Sequence, residues 1–311
     1  MFIEGETFDD LLRRGLQGIL QHGHPIKPTK NEATELIGVC LKLDKPRARF
    51  SRTENRSVLY SALGETLWYL SGSDEFNVIE HYIPSYRKHC GSPPPEITTS
   101  EAAYGPRLTT QMEFIKKQIH KRDTRKAVIA IYREGDQKNS FDVPCTCVLQ
   151  FFPRSGVLHA MAQMRSNDVY KGMAHDIFAF TMLQEFLARS ADLELGSYIH
   201  QVGSFHLYDS DRVRAEAYIA RGIPDTIPMD PMPPGDPQLG IKWLLSAEAS
   251  LRLGGEIPDA SGIEAYWQDL ARLLQVKKLS NGTNQLELRA IRDAMHTKVF
   301  DTFLQDEISR V

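Results

Sequence analysis

The spacing of apolar residues changes period twice along this chain, and that alternation bounds the folds it can adopt. Before Ala127 the repeats are mostly helical. Thr7, followed three residues later by Asp10, is a near relative of the capping box, and Phe8, Leu11, Leu12, Leu16 and Ile19 behind it share one helical face. Residues 36–43 read as a strand, whereas residues 57–70, which include Glu65, and the stripe Leu108, Met112, Ile115 and Ile119 read as two further helices. Between Ala127 and His206 the pattern turns β-rich, in runs 127–132, 147–152, 157–165 and 198–207, interrupted by one helix over about 174–189. Residues 222–240 then hold six of the seventeen prolines, which excludes a helix interior or a central strand there. Beyond them, 241–253, 263–276 and 285–304 each read as an amphipathic helix. The pattern predicts an α+β fold on a mixed or antiparallel sheet, with a helical C-terminal portion.

Charge narrows the partners. Lys and Arg number 37 against 40 Asp and Glu, a net charge of −3, and the pI near 6.4 offers no broad basic field. Binding a nucleic-acid polymer by counterion release is thereby excluded as the main activity, although a few local cations suffice for one phosphate. The longest wholly apolar run, 127–132, has six residues, and the first ten residues are acidic rather than signal-like, so the sequence reads as cytoplasmic with no membrane partner. Four cysteines, Cys40, Cys90, Cys145 and Cys147, are too few for a disulfide scaffold in 311 residues, and a reducing compartment keeps them as thiols.

Three segments carry usable chemistry. Pro144 stiffens the approach to Cys145 at a strand start, where a cysteine is more often a small buried hydrophobe. Cys145 and Cys147 share a face, but no second Cys or His pair completes a metal site, so no metal is expected. Arg165-Ser166-Asn167-Asp168 closes the run that ends at 165, where an arginine alone is commonly a solvated residue; with Ser166 and a following helix start it supplies the donors a phosphate monoester needs. Asp176 enters the next helix within Gly172-Met173-Ala174-His175-Asp176, and the plain alternative is an acid favoured by the helix dipole.

In order, Pro144-Cys145, Gln150-Phe151-Phe152, Arg165-Ser166-Asn167-Asp168, Gly172 to Asp176 and His206-Leu207-Tyr208 resemble the core of the thymidylate synthase family in sequence and spacing. Upstream, Gly64-Glu65-Thr66-Leu67-Trp68 resembles its helix with the catalytic glutamate, Tyr104-Gly105-Pro106-Arg107 its tyrosine-glycine motif, and Asp123-Thr124-Arg125-Lys126 its basic pair. The resemblance covers roughly residues 1–215. It implies that family's fold in a single domain, with a core over about 1–221, a Pro-rich loop over 222–240 and a helical portion over 241–311. It also implies a homodimer, a pyrimidine nucleoside monophosphate as substrate and 5,10-methylenetetrahydrofolate as carbon donor.

The resemblance assigns roles. Cys145 adds as a thiolate to C6 of the pyrimidine and pushes electron density onto C5, and Arg165 lowers the thiol pKa while gripping the phosphate with Ser166. Arg125 and Lys126 reach the partner's phosphate, with Lys126 offering a point charge in place of a fork. Lys27 or Lys30 replaces a further N-terminal arginine. His206 and Tyr208, two apart on a strand, contact the sugar, and Glu65 organises water and moves protons. Tyr104 belongs to the catalytic group, Asp168 contacts the base through its backbone, and Asn167 and Gln150 support the site.

Departures from the family indicate the substrate. Asp176 falls where thymidylate synthases place an asparagine that reads the base edge; a carboxyl that accepts from N4 and shares a proton with N3 suits cytosine, as in the cytidylate hydroxymethylase branch. Ile83 aligns with a tryptophan beside the folate, the usual closing C-terminal tail is replaced by helices, and Thr146 stands where histidine is common. A smaller wall and an altered lid favour water over hydride. The expectation is a 5-hydroxymethylase of CMP or dCMP, with a C5 methylase of dUMP and a non-enzymatic nucleotide-binding protein as the alternatives.

Overall fold

A computed structural model of the chain describes residues 1–28, 31–51, 58–138, 141–222, 227–279 and 284–310. It opens with β1 (Phe2–Gly5) and α1 (Phe8–His22). The capping box is present: the Asp10 amide donates to the Thr7 hydroxyl at 3.1 Å and the Thr7 amide to the Asp10 carboxylate at 3.0 Å, so two otherwise orphaned helix-end N–H groups are satisfied. The apolar stripe behind it is fully buried. There follow β2 (His24–Ile26), β3 (Ala33–Leu43), α2 (Leu59–Ser71), α3 (Phe76–Tyr82), α4 (Tyr86–His89) and α5 (Tyr104–Ile119). The middle of the chain gives β4 (Val128–Ala130), β5 (Thr146–Arg154), β6 (Val157–Asp168), α6 (Gly172–Ser190), β7 (Glu194–Tyr208) and α7 (Arg212–Ala220). After the prolines come α8 (Gln238–Arg252), α9 (Ala265–Leu279), α10 (Gln285–Ala294) and α11 (Asp301–Arg310).

One seven-stranded sheet carries the order β1-β3-β7-β6-β5-β4, with β2 paired to β3. It is mixed: β1 with β3 and β6 with β7 run parallel, and the other pairs are antiparallel. This is the α+β architecture that the pattern predicts. A parallel pair needs a crossover, and α6 supplies it between β6 and β7. Because those strands share a direction, Asp168 comes level with His206, and two motifs far apart in sequence meet at one end of the sheet. The antiparallel pairing of β5 with β6 sets Cys145 beside Arg165, whose amide donates to the Cys145 carbonyl at 2.8 Å. Helix α6 lies on β6 and β7, with α2 and α5 packed over it.

Several expectations need correction. The run read as ending at Arg165 continues as strand to Asp168, because register with β7 holds through that residue. Residues 285–304 form two helices, not one: the buried Asp269 carboxylate accepts from the His296 and Thr297 amides, which ends α10 at Ala294 and turns the chain before α11. Helix α8 begins within the Pro-rich stretch, at Gln238, with Pro237 at its N-cap. The stretch is anchored in part, since Met229 and Met232 are buried and their amides donate to the Arg47 carbonyl and the Glu185 carboxylate. Of the C-terminal helices, α8 and α9 pack on α2, and Tyr82 of α3 donates to Glu248 of α8 at 2.9 Å.

Glu185 of α6 holds this region together. It accepts from Arg47 at 2.8 Å, from Arg49 and from the Met232 amide at 3.0 Å, while the Glu185 and Arg49 side chains are 1% and 0% exposed. Burial pushes this carboxyl up, but Arg49, Arg47 and the Met232 amide outweigh it and leave the group below its ordinary range. A depressed folded-state pKa contributes stability above the unfolded value and loses it on acidification. Glu185→Ala, which strands two guanidinium groups, should lower unfolding stability in urea by about 3–5 kcal/mol. Stability of the wild type should also fall faster than that of Glu185→Gln as pH drops through the carboxylate range.

Candidate active site

Cys145 sits just before β5, half-buried, with its sulfur 3.7 Å from an Arg165 nitrogen. Arg165 is held to the same loop: Nε donates to the Pro144 carbonyl at 2.9 Å and one terminal nitrogen to the Val143 carbonyl at 2.7 Å. A guanidinium fixed beside a thiol favours the thiolate. Tyr104, at the start of α5, accepts from the Thr146 amide at 3.1 Å and so grips the residue after the cysteine. Burial pushes its phenol well up, and the charges of Cys145 and Asp176 add to that, so both lie near enough to act on it. Thr146 itself is buried with its hydroxyl unpartnered. Arg107 is structural: it binds Asp136 with both terminal nitrogens and the Ile131 carbonyl at 2.7 Å, tying α5 to the segment that leads to the cysteine.

The acids close the pocket. Glu65 on α2 is 8% exposed, against the surface position usual for a helical glutamate. Gly64 beside it lets the Tyr82 ring lie on α2, where a Cβ would meet that ring at 2.2 Å. Glu65 Oε1 accepts from the Tyr69 hydroxyl at 2.7 Å. Asp176 stands in the second turn of α6, half-buried, and accepts from Asn167 Nδ2 at 2.8 Å. Burial pushes this carboxyl well above the ordinary range; the Glu65 charge and, more weakly, Asp168 raise it further, against the Asn167 hydrogen bond. Asp168 accepts from the Tyr170 and Lys171 amides at 2.9 and 3.3 Å, shaping the turn into α6; burial raises it, and His206 opposes.

His206 and Tyr208 stand together on β7, with ring centroids 4.9 Å apart and edge to face. The Tyr208 phenol is raised by burial, then by Asp168 and Cys145, so this pair borders the same pocket. Ser166 is half-buried in β6, level with Ser204. Arg125 and Lys126 are not brought to this cluster: both are exposed in the segment before β4. Gln150 donates to the Arg125 carbonyl at 3.1 Å and therefore shapes that segment. Lys27 is exposed and paired with Glu32 at 2.7 Å, and Lys30 lies outside the described residues. Among the described residues no group of three His, Cys, Asp or Glu could hold a metal ion.

Sequence reasoning missed three partners: Tyr69, Tyr198 and His200. Tyr69 lies four residues after Glu65 in a helix, the spacing that puts two side chains on one face, and that signal was available. Tyr69→Phe would leave a buried Glu65 oxygen unpartnered, at about 1–3 kcal/mol. Turnover should fall about tenfold or more while affinity for a nucleoside monophosphate stays near that of the wild type, as steady-state kinetics and calorimetry would read.

A sequence model of the family described as thymidylate synthase matches residues 8–230, which takes in every group named above and stops short of α8. A thymidylate synthase of Baumannia cicadellinicola subsp. Homalodisca coagulata is 26% identical over 184 residues, covering 54% of this chain and 67% of that protein. With a family model that matches nearly three quarters of its length, the chain belongs to the thymidylate synthase family.

Proposed function

We propose that this chain, a one-carbon transferase of the thymidylate synthase family, hydroxymethylates C5 of a cytidine 5'-monophosphate, deoxy or ribo, and works as one domain over residues 1–311. The state of Asp176 carries the reading. Burial and, after it, the Glu65 charge raise this carboxyl well above the ordinary range; in its neutral form such an acid donates one hydrogen bond and accepts another, and so can pair with N3 and N4 of cytosine. Donation to N3 also makes C6 more electrophilic, which links recognition of the base to its activation.

Cys145 adds to C6 as the thiolate that Arg165 favours, and C5 becomes the nucleophile. 5,10-Methylenetetrahydrofolate supplies a carbon unit at the formaldehyde level, with no net redox change in hydroxymethylation. Apolar surface for such a donor fits the end of α3, where Ile83 is half-buried and Tyr86, one turn on, is close enough to Glu65 and Tyr104 to feel their charges. C5 bonds to the one-carbon unit, tetrahydrofolate departs as the C5 proton is lost and leaves an exocyclic methylene, Glu65 positions and deprotonates the water that adds to that carbon, and the cysteine leaves C6. Tyr69 occupies Oε1 of Glu65, leaving Oε2 for that water. Arg165 and Ser166 take the phosphate, and His206 and Tyr208 the sugar.

A homodimer completes the proposal. Arg125 and Lys126 are exposed and apart from their own site, as groups that serve a neighbour's phosphate would be. Half-buried Met161, Leu195 and Ile199 lie on the sheet side opposite α6 and give a second copy an apolar surface.

Turnover on CMP, dCMP, UMP and dUMP tests the reading. Wild type should release tritium from C5-labelled cytidylate without the absorbance rise of dihydrofolate, and Cys145→Ala should release none. Dihydrofolate formation, or preference for uridylate, overturns it. Because the protonated form of Asp176 reads the base, kcat/KM on cytidylate should decline as pH climbs through its raised pKa.

A further inference from the structure

The hydrogen bonds behind Asp176 run in a single line. Asn167 Nδ2 donates to Asp176 Oδ2 at 2.8 Å, His200 Nε2 lies 2.9 Å from Asn167 Oδ1, and the Tyr198 hydroxyl lies 2.8 Å from His200 Nδ1. Tyr198 and His200 are 1% and 0% exposed, two apart on β7 and on one face of it. Gly172 leaves room for the line, since a Cβ there would stand 3.2 Å from Asn167 Nδ2.

Such a line can be polarised in two directions. Either Tyr198 donates to His200, His200 to Asn167 and Asn167 to Asp176, or every donor turns round and Asp176 donates from Oδ2. The buried end decides between them. Among the described residues the Tyr198 hydroxyl has His200 as its hydrogen-bond partner, so the second direction leaves a phenol O–H in the core with no acceptor, at about 1–3 kcal/mol. Burial pushes His200 down to about 3, so the imidazole is neutral and carries one proton. That proton is on Nε2, and the Asn167 amide N–H faces Asp176.

The consequence falls on the carboxyl. A neutral acid presents donor and acceptor in either order. One order matches cytosine, with O–H to N3 and C=O from N4; turned over, the same acid matches the N3–H and O4 of uracil. A donor held against Oδ2 keeps the proton off that oxygen and leaves it on Oδ1, so a single order survives. Resting on the reading that Asp176 faces the pyrimidine of a cytidylate, we propose that Tyr198, His200 and Asn167 form a directional relay that fixes the carboxyl proton on Oδ1 and so commits the acid to one donor–acceptor order, which in that reading is the order cytosine requires. Tyr198 and His200 are positioning residues.

Two measurements test it. Nitrogen-15 NMR of the wild-type histidine rings should show His200 protonated at Nε2 and bare at Nδ1, and the opposite tautomer overturns the relay. In the four-nucleotide turnover assay, Tyr198→Phe and His200→Leu should lower the cytidylate-to-uridylate ratio of kcat/KM by about five- to a hundredfold, the value of one stranded hydrogen bond. Tyr198→Phe keeps the packed ring and reports even where His200→Leu does not fold. An unchanged ratio in Tyr198→Phe, or equal losses on both bases, overturns the relay and leaves the proposed function standing. A wild type that takes uridylate in preference overturns both.

Discussion

Glu65 and Asp176 lie close enough for the charge of the first to act on the second. The first is anchored by a phenol on its own helix, while the second is pushed toward its neutral form by burial and by the first. The packing of α2 on α6 holds the two helices that carry these acids together, and the β6–α6–β7 crossover starts α6 at the end of the sheet where Arg165, Asp168 and His206 lie.

Much of this was legible in the sequence because it rests on local rules. The Thr7 capping box, the α1 stripe, the β-rich middle and its one helix all follow from period and capping, and each is present. The short elements β1, β2, α3 and α4 were not read; at three to seven residues they hold too little pattern to register. The break between α10 and α11 has its cause in Asp269, an acceptor far upstream that no local window includes.

The site divides along the same boundary. Cys145, Arg165, Asp168, His206 and Tyr208 lie at or beside adjacent strand ends, and Asp176 follows in the second turn of α6, as the motif order suggests. The basic pair does not converge within one chain. Tyr198 and His200 look like ordinary alternating strand residues, and their connection to Asn167 exists only once β6 and β7 are paired. Asn167 was named as a supporting group, but the direction of its amide could not be read without those neighbours.

The C-terminal helices lie outside the family match, yet α9 packs directly on α2, the helix that carries Glu65. Nearly two hundred residues of sequence separate the two partners, so the surface on which α2 settles is made long after the helix itself. A nascent chain emerging from the ribosome holds α2 with part of its apolar face uncovered until synthesis has passed α9. The setting of α2 is thus tied to the synthesis of α9 and not to the family core alone.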